Sequence, residues 1–421
     1  MGTSTWRASP ATIAAAAFPV LALILLAVTW GRKPGPVLVG IVALVLAGAV
    51  LSAVHHAEVV AHRVGEPFGS LVLAVAVTVI EVALIITLMI SGGEGASSLA
   101  RDTVFAAVMI TLNGIVGISL LTGALKFGET LFNAEGSGAA LATVASLAGL
   151  SLVLPTFTNS RPGPEFSTGQ LAFAAAASLV LYASFVGAQT IRHRDFFLPV
   201  TPDGPWVRTP SLAETEVRGT PEAGGSGTPI TASDGSVARG AVDPGGSGAR
   251  GAVDPGSPAA DDGEHAPPPT LRATWTSLAL LVAALVAVVG LAKVESPAIE
   301  SAVRAVDFPL SFVGVVIALL VLAPETLAAL RAARRNQLQT SLNLALGSAM
   351  ASIGLTIPAI AVAMLWLDGP LLLGLGSTQT VLLTLTVVVS ILTVVPGRAT
   401  RLQGVVHLVL FGAFVFLSIN P

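Results

Sequence analysis

Eleven apolar stretches divide this sequence, and each is long enough to cross a bilayer core of about 30 Å as a helix. Within a membrane, the backbone polar groups of a spanning segment must find partners inside the segment, which favours helices. The stretches lie near residues 11–30, 36–54, 70–91, 102–124, 138–155, 168–190, 272–292, 308–330, 340–365, 371–393 and 401–419. The pattern predicts an all-α membrane protein with about eleven transmembrane helices.

The composition agrees with that prediction and excludes several function classes. Charged residues make up 11% of the chain, whereas a soluble domain usually carries about 25%. A net charge of −3 gives no reason to expect a nucleic-acid partner. The absence of cysteine excludes disulfides, zinc–thiolate sites and thiol nucleophiles.

The segment 195–270 has a different composition from the apolar stretches. It is rich in Gly, Pro, Ser, Ala and Asp, and contains 11 acidic residues, 4 arginines and two copies of RGAVDPG, starting at Arg239 and Arg250. Such a segment cannot bury enough apolar area to offset its ordering entropy, which predicts a flexible linker. An alternative is a sensor or docking loop for divalent cations.

Lysines and arginines near the ends of the stretches are distributed unequally, eleven on one side against six on the other. Because basic residues favour the cytoplasmic side, we expect the N-terminus and the central segment in the cytoplasm of a bacterial inner membrane. The first stretch follows Arg7 without an evident cleavage site, which predicts an uncleaved extra helix.

Glu81 lies near the middle of the stretch 70–91, which contains no Lys or Arg. A carboxylate at that depth costs about 2.5–3.5 kcal/mol on insertion scales, so it usually faces protein or a water-filled cavity. Its expected partners are a bound cation, a proton or polar groups on other helices. Thr78, three residues earlier, shares its helix face.

Glu325 lies in the stretch 308–330, directly after Pro324. Proline removes a backbone donor and leaves a carbonyl free, and carbonyl and carboxylate oxygens suit hard cations such as Ca²⁺, Na⁺ or K⁺. Alternatively, Glu325 simply ends the span, since Arg331, Arg334 and Arg335 follow it.

Each glutamate stretch is followed by one rich in small and polar residues. In 340–365, a stripe at helical spacing comprises Ser341, Ala345, Ser348, Ser352 and Thr356, and Asn343, Gly347 and Gly354 lie on an adjoining face. The stretch 102–124 carries a weaker counterpart with Asn113, Gly114 and Gly117. These patterns are typical of close helix packing as well as of a cation site.

With five core spans in each half, the halves must have opposite membrane orientations, which predicts an inverted-repeat transporter. We therefore divide the chain into an extra N-terminal helix, a first repeat, a linker and a second repeat. Their bounds are 1–35, 36–194 (motif near 65–124), 195–270 and 271–421 (motif near 308–358).

Two segments resemble the α-repeats of the cation/calcium exchanger superfamily, and most closely those of the ChaA-type calcium/proton antiporters of bacteria. They are GEPFGSLVLAVAVTVIEVALI, from Gly65 to Ile85, and APETLAALRAARRNQLQTSLNLALGSAMASIGLTIP, from Ala323 to Pro358. The resemblance implies a five-plus-five core after an extra helix. It also implies that Glu81 and Glu325 bind the cation and exchange it for protons.

By the same resemblance, Thr78, Asn113, Ser348 and Ser352 would add polar groups to the cation site, with Pro324, Asn343 and Gly347 in support. Leu322 occupies a position where related exchangers often carry a polar residue, so the two halves are expected to contribute unequally. We expect no cofactor beyond the transported cation and protons.

The sequence thus favours a calcium/proton antiporter, with sodium/proton or potassium/proton exchange as the alternative. A more distant alternative is a membrane-embedded metalloenzyme, suggested by a cluster of His55, His56, Glu58 and His62. That cluster lacks the HExxH spacing of a zinc enzyme. Its three histidines are instead candidates for proton sensing, since imidazole titrates near neutral pH, or simply occupy a helix end.

Overall fold

The computed structural model describes residues 10–32, 34–65, 68–91, 95–198 and 269–421. The predicted linker at 195–270 falls almost entirely outside these residues. The described part is mostly helical, and eleven long helices account for it. They are α1 (Pro10–Thr29), α2 (Pro36–Val64), α3 (Phe68–Ser91), α4 (Leu99–Phe127), α5 (Ala134–Phe157), α6 (Thr168–Arg192), α7 (Leu271–Ala305), α8 (Phe312–Arg334), α9 (Leu338–Ala363), α10 (Ser377–Val394) and α11 (Arg401–Ile419).

Within the described residues, nine helices are long and apolar enough to cross a membrane. The apolar segments of α1 and α3 are shorter and cover Ile13–Thr29 and Ala74–Ile90. The predicted all-α fold with eleven long helices is therefore confirmed. Two helices run well beyond their apolar stretches, since α2 continues to Val64 and α7 to Ala305.

The predicted span 371–393 is wrong at its start, because α10 begins only at Ser377. The preceding residues are extended, and Leu371, Leu373 and Leu375 are buried. Their backbone bonds to neighbouring loops and helix ends, as when Leu372 N–H donates to the Ser97 carbonyl at 2.9 Å. An apolar run buried in extended form cannot be distinguished from a helix by hydropathy alone.

Polar caps fix where several helices begin. Ser167 and Gln170 bond reciprocally to each other's backbone N–H at the start of α6, and Thr400 and Gln403 do so at the start of α11. Such capping boxes satisfy N–H groups that have no partner within the helix. These two helices therefore begin where the local sequence offers a cap.

One end of the bundle collects the ends of α2, α4, α6 and α8, and we call it the basic face. Lys126 Nζ, at the end of α4, donates to the Arg334 carbonyl at 2.8 Å, and Arg63, near the end of α2, donates to the Pro269 carbonyl. A two-stranded antiparallel ladder at this end pairs β1 (Thr130–Leu131) with β2 (Arg398–Ala399). Arg192 and Arg331, in the last turns of α6 and α8, lie at the same end.

The two halves of the core run in opposite directions. The third helix of the first half, α4, ends at the basic face, next to the loop that joins α10 and α11. The third helix of the second half, α9, ends at the other face, where its following loop pairs Leu372 with Glu165. Equivalent helices thus end on opposite faces, as an inverted repeat requires.

Helix packing follows the same relationship between the two halves, because helices of one half pack on helices of the other. The first helices, α2 and α7, pack on each other, and each glutamate-bearing helix packs on the third helix of the other half, α3 on α9 and α8 on α4. The fifth helices do likewise, with α6 on α9 and α11 on α4.

The buried apolar residues form two separate clusters. One is built from α4–α6 and α8–α11, and the other from α1, α2 and α7 with one side of α3 and α8. The glutamate-bearing helices α3 and α8 therefore lie where the two clusters meet.

Glycines allow the closest of these helix contacts, and Gly404 of α11 provides a test. A Cβ at Gly404 would lie 2.6 Å from the backbone nitrogen of Leu121 in α4. Because backbone atoms cannot move aside cheaply, we expect Gly404→Ala to lower the free energy of unfolding by about 1–3 kcal/mol. Gly412→Ala, on the same helix, meets nothing within 4 Å and is the matched control. Thermal unfolding in detergent measures both, and equal melting temperatures would contradict the packing.

Candidate functional site

Glu81 is buried in the middle of α3, with 4% of its surface exposed. The Ser352 hydroxyl of α9 donates to its carboxylate Oε1 at 2.5 Å. Thr78, one turn earlier, is also buried, and its hydroxyl donates to the Ala74 carbonyl of its own helix at 2.9 Å. The glutamate is therefore held by the other half of the core, while the Thr78 hydroxyl bonds to its own backbone.

Glu325 lies on α8, which continues unbroken through Pro324. Proline has no N–H, so the Leu320 carbonyl four residues earlier receives no helical hydrogen bond. The Ser348 hydroxyl of α9 donates to Glu325 Oε2 at 2.6 Å. Leu322, three residues earlier, is buried and apolar. Glu325 thus lies in the body of the bundle, and the alternative that it merely ends the span does not describe this position.

One helix contacts both glutamates. Ser348 and Ser352 are one turn apart on α9, and they bond to Glu325 and Glu81 respectively. The two carboxyl groups are close enough to interact electrostatically. The structure therefore brings together four of the sequence-predicted site residues, two acids from different repeats and two hydroxyls from α9.

The rest of the polar stripe on α9 has other partners. Ser341 donates to the Ser119 hydroxyl of α4 at 2.7 Å. Thr356 is fully buried, and its hydroxyl has no hydrogen-bond partner among the described residues. The stripe thus packs closely on neighbouring helices and also supplies hydroxyls to the two glutamates.

A cavity of about 360 Å³ reaches Glu325 from the basic face. Its wall includes Pro324, Gly347 and Ser348 near the carboxylate and Arg194 toward the face. Glu81 does not line it. One carboxylate of the pair is therefore reached from this side, and the other is enclosed.

Asn343 lines the same cavity, but both polar atoms of its amide group bond to other groups of the protein. Its nitrogen donates to the Phe197 carbonyl at 2.7 Å, and its oxygen accepts from Gln339 at 2.8 Å. A Cβ at Gly347 would meet no atom within 4 Å, so this glycine leaves space beside Ser348. These two residues shape the wall, in keeping with a supporting position.

Asn113 belongs to a second buried polar group. It lies in a π-helical segment of α4, Ile110–Ile115, and its amide nitrogen donates to the Thr386 hydroxyl of α10 at 2.9 Å. Its amide oxygen lies 3.2 Å from His407 Nδ1 of α11, and His407 Nε2 lies 3.1 Å from the Thr393 hydroxyl. All four side chains are buried. Asn113 thus joins α4 to α10 and α11, whereas the carboxylates receive their hydroxyls from α9.

Thr386, Thr393 and His407 are not among the sequence-predicted site residues. The two threonines are seven residues apart in α10, a spacing that places them on one helix face. That spacing was the available signal.

The predicted histidine cluster lies along the end of α2 in three different environments. His56 is buried, His55 is half-buried and His62 is exposed. Ser52 Oγ and His56 Nε2 both bond to the Ala15 carbonyl of α1, at 2.5 and 3.1 Å. Pro19, four residues after Ala15, cannot donate to that carbonyl. His56 therefore completes the hydrogen bonding of α1.

Within the described part of the chain, no three His, Cys, Asp or Glu side chains come together as a metal-binding group.

Comparison with known proteins identifies the family. The model of the sodium/calcium exchanger protein family matches residues 34–191 and 276–420. The chain belongs to the sodium/calcium exchanger family. It is a multi-pass membrane protein and a cation antiporter, not an enzyme, and within the cation/calcium exchanger superfamily it is of the ChaA type.

Three relatives give the scale of the similarity. The chain is 40% identical over 380 residues to the "Putative ionic transporter y4hA" of Sinorhizobium fredii, covering 89% of this chain and 87% of that one. It is 32% identical to the sodium-potassium/proton antiporter ChaA of Escherichia coli, covering 94% of each chain. The solved structure of YfkE matches with a TM-score of 0.61 at 16% identity, over 98% of this chain and 100% of the other. The last match shows the fold.

A substitution at His407 tests whether the hydrogen-bonded group of Asn113, Thr386, Thr393 and His407 has a structural role. His407→Leu removes the partner of the Asn113 amide oxygen and of the Thr393 hydroxyl in the core, which costs about 1–3 kcal/mol per unpaired group. We expect a lower melting temperature, while the shift produced by added cation persists. Thr384→Val is the control, since the Thr384 hydroxyl bonds only its own helix at an exposed position. Loss of the cation-induced shift with an unchanged melting temperature would instead place His407 in the cation site.

Proposed function

We propose that this antiporter exports Ca²⁺ in exchange for protons, with Glu81 and Glu325 as the groups for which cation and proton compete. The observation that carries the proposal is that two glutamates, one from each repeat, meet on Ser348 and Ser352 of α9. Ca²⁺ takes six to eight oxygen ligands, and two carboxylates supply both charge and oxygens.

The exchange follows from the environment of the pair. A carboxylate in an apolar interior is costly without a compensating charge, so each group favours either a bound proton or a bound cation. A cation entering the pair releases protons, and protons arriving from the other side release the cation. Competition for the same oxygens is sufficient for coupling, and no further cofactor is needed.

Alternating access requires the pair to open to one side at a time. The cavity that reaches Glu325 from the basic face supports this, because Glu81 is enclosed behind it. The excess of Lys and Arg at that face favours a cytoplasmic location for it. The conformation then corresponds to one open to the cytoplasm.

A second candidate is exchange of Na⁺ or K⁺ for protons by the same groups. It is favoured by the 32% identity to the sodium-potassium/proton antiporter of Escherichia coli. The apolar residue Leu322, one turn before Glu325, also leaves that side of the site without an additional oxygen.

The test of function is proton-gradient dissipation in everted membrane vesicles on addition of Ca²⁺, Na⁺ or K⁺. Glu81→Gln and Glu325→Gln preserve size but remove the titratable charge, so we expect neither to dissipate the gradient. Glu81→Asp and Glu325→Asp should retain part of the flux with weaker affinity, since the carboxylate is withdrawn by one methylene. Apparent cation affinity should fall as the pH is lowered, because protons compete. Wild-type flux in a membrane-inserted Glu325→Gln variant would overturn the two-glutamate site.

The serines provide a second test that separates ligation from packing. Ser348→Ala and Ser352→Ala each remove a hydrogen bond to a carboxylate, worth about 1.5–3 kcal/mol, so we expect about tenfold or greater loss of cation affinity. Ser341→Ala is the control on the same helix, since the Ser341 hydroxyl bonds to Ser119 instead. Unchanged affinity in both variants would reduce these serines to packing residues, and flux against cation concentration measures it. Leucine at either site should abolish transport by filling the helix contact.

A further inference from the structure

Glu58 of α2 lines the same cavity as Glu325. It lies six residues before the end of its helix, toward the basic face. Among the described residues, no hydrogen bond or ion pair satisfies its carboxylate. His55 and Arg331 are near enough to interact with it electrostatically, and Arg194 lines the cavity as well. The Glu58 carboxylate therefore lies in the cavity between the basic face and Glu325, with basic side chains nearby.

The opposite face has an equivalent carboxylate. The helices α2 and α7 are the first helices of the two halves and correspond to each other. Glu300 lies five residues before the end of α7. Glu300 lines a small cavity of about 20 Å³ together with Leu88 from the end of α3 and Val313 from the start of α8. The wide cavity at the basic face is also lined by the first helix of one half and both glutamate-bearing helices, together with α6 and α9. Each face thus has a cavity bordered by a first helix and both glutamate-bearing helices, wide at the basic face and small at the opposite one.

We propose that Glu58 and Glu300 are access carboxylates, each of which concentrates the transported cation at the entrance on its own face. This inference rests on the proposed function. A negative charge in a cleft with low-dielectric walls raises the local concentration of cations and their rate of entry. Neither Glu58 nor Glu300 bonds to Glu81 or Glu325 in this conformation, so their contribution is to cation capture at the entrance and not to coordination at the pair.

The inference predicts effects that depend on the side of the membrane. Glu58→Gln should raise the KM for cation added at the basic face about fivefold at low ionic strength, with little change at the opposite face. Glu300→Gln should do the reverse. Maximal flux should remain near the wild-type value in both. Glu58→Asp should restore most of the wild-type KM, and about 0.3 M choline chloride should reduce the difference by screening.

The experiment compares everted and right-side-out vesicles, which expose opposite faces to the added cation. Glu135→Gln, at the basic face outside the cavity, and Asp368→Asn, at the opposite face, are matched controls because both side chains are exposed. The crossed pattern of KM values supports the inference. Unchanged KM values in both orientations, with normal wild-type exchange, would overturn it while leaving the proposed function standing. Failure of the wild type to exchange Ca²⁺, Na⁺ or K⁺ would overturn the proposed function itself.

Discussion

Two carboxylates in the apolar interior, on helix segments without a lysine or arginine beside them, are the constraint on which the structure depends. Each needs a polar partner from another helix, and α9 supplies both through Ser348 and Ser352. A serine reaches a carboxylate only if the helices approach closely. This explains the small residues along α9 and the contact of Gly354 with the ring of Tyr182 in α6. The packing of α3, α6 and α8 around α9 thus follows from the chemistry of the pair.

The two repeats share their packing but not their chemistry. Gly117 of α4 packs against His407 of α11 much as Gly354 packs against Tyr182. The polar group one turn from Gly117 is Asn113, which bonds to α10 and α11. The first repeat therefore uses its polar third helix to hold the bundle together, and the second uses its own to hold the glutamates. Because α9 bonds to both glutamates, any shift of α9 moves the hydroxyl partners of Glu81 and Glu325 together.

Much of this could be read from the sequence, because a membrane forces long apolar helices and makes each buried acid conspicuous. Glu81, Glu325 and the serine stripe were evident for that reason. The extended segment Leu371–Leu375 was not, since hydropathy does not distinguish an extended buried run from a helix. The partners of Asn113 were also beyond reach, because Thr386 and His407 lie 273 and 294 residues away along the chain. Such pairings depend on how helices distant in sequence meet.

The two carboxylates differ in how they are reached from outside the bundle, and this difference connects the fold to transport. Glu325 borders the cavity at the basic face, whereas Glu81 lies behind it, against α9. The apolar cluster of α1, α2 and α7 meets the rest of the bundle along α3 and α8, the two helices that carry the glutamates. Relative movement of the two clusters would therefore change access at the acids themselves. Under the proposed alternating access, inversion of the halves requires that the movement which closes the cavity beside Glu325 open an equivalent space beside Glu81.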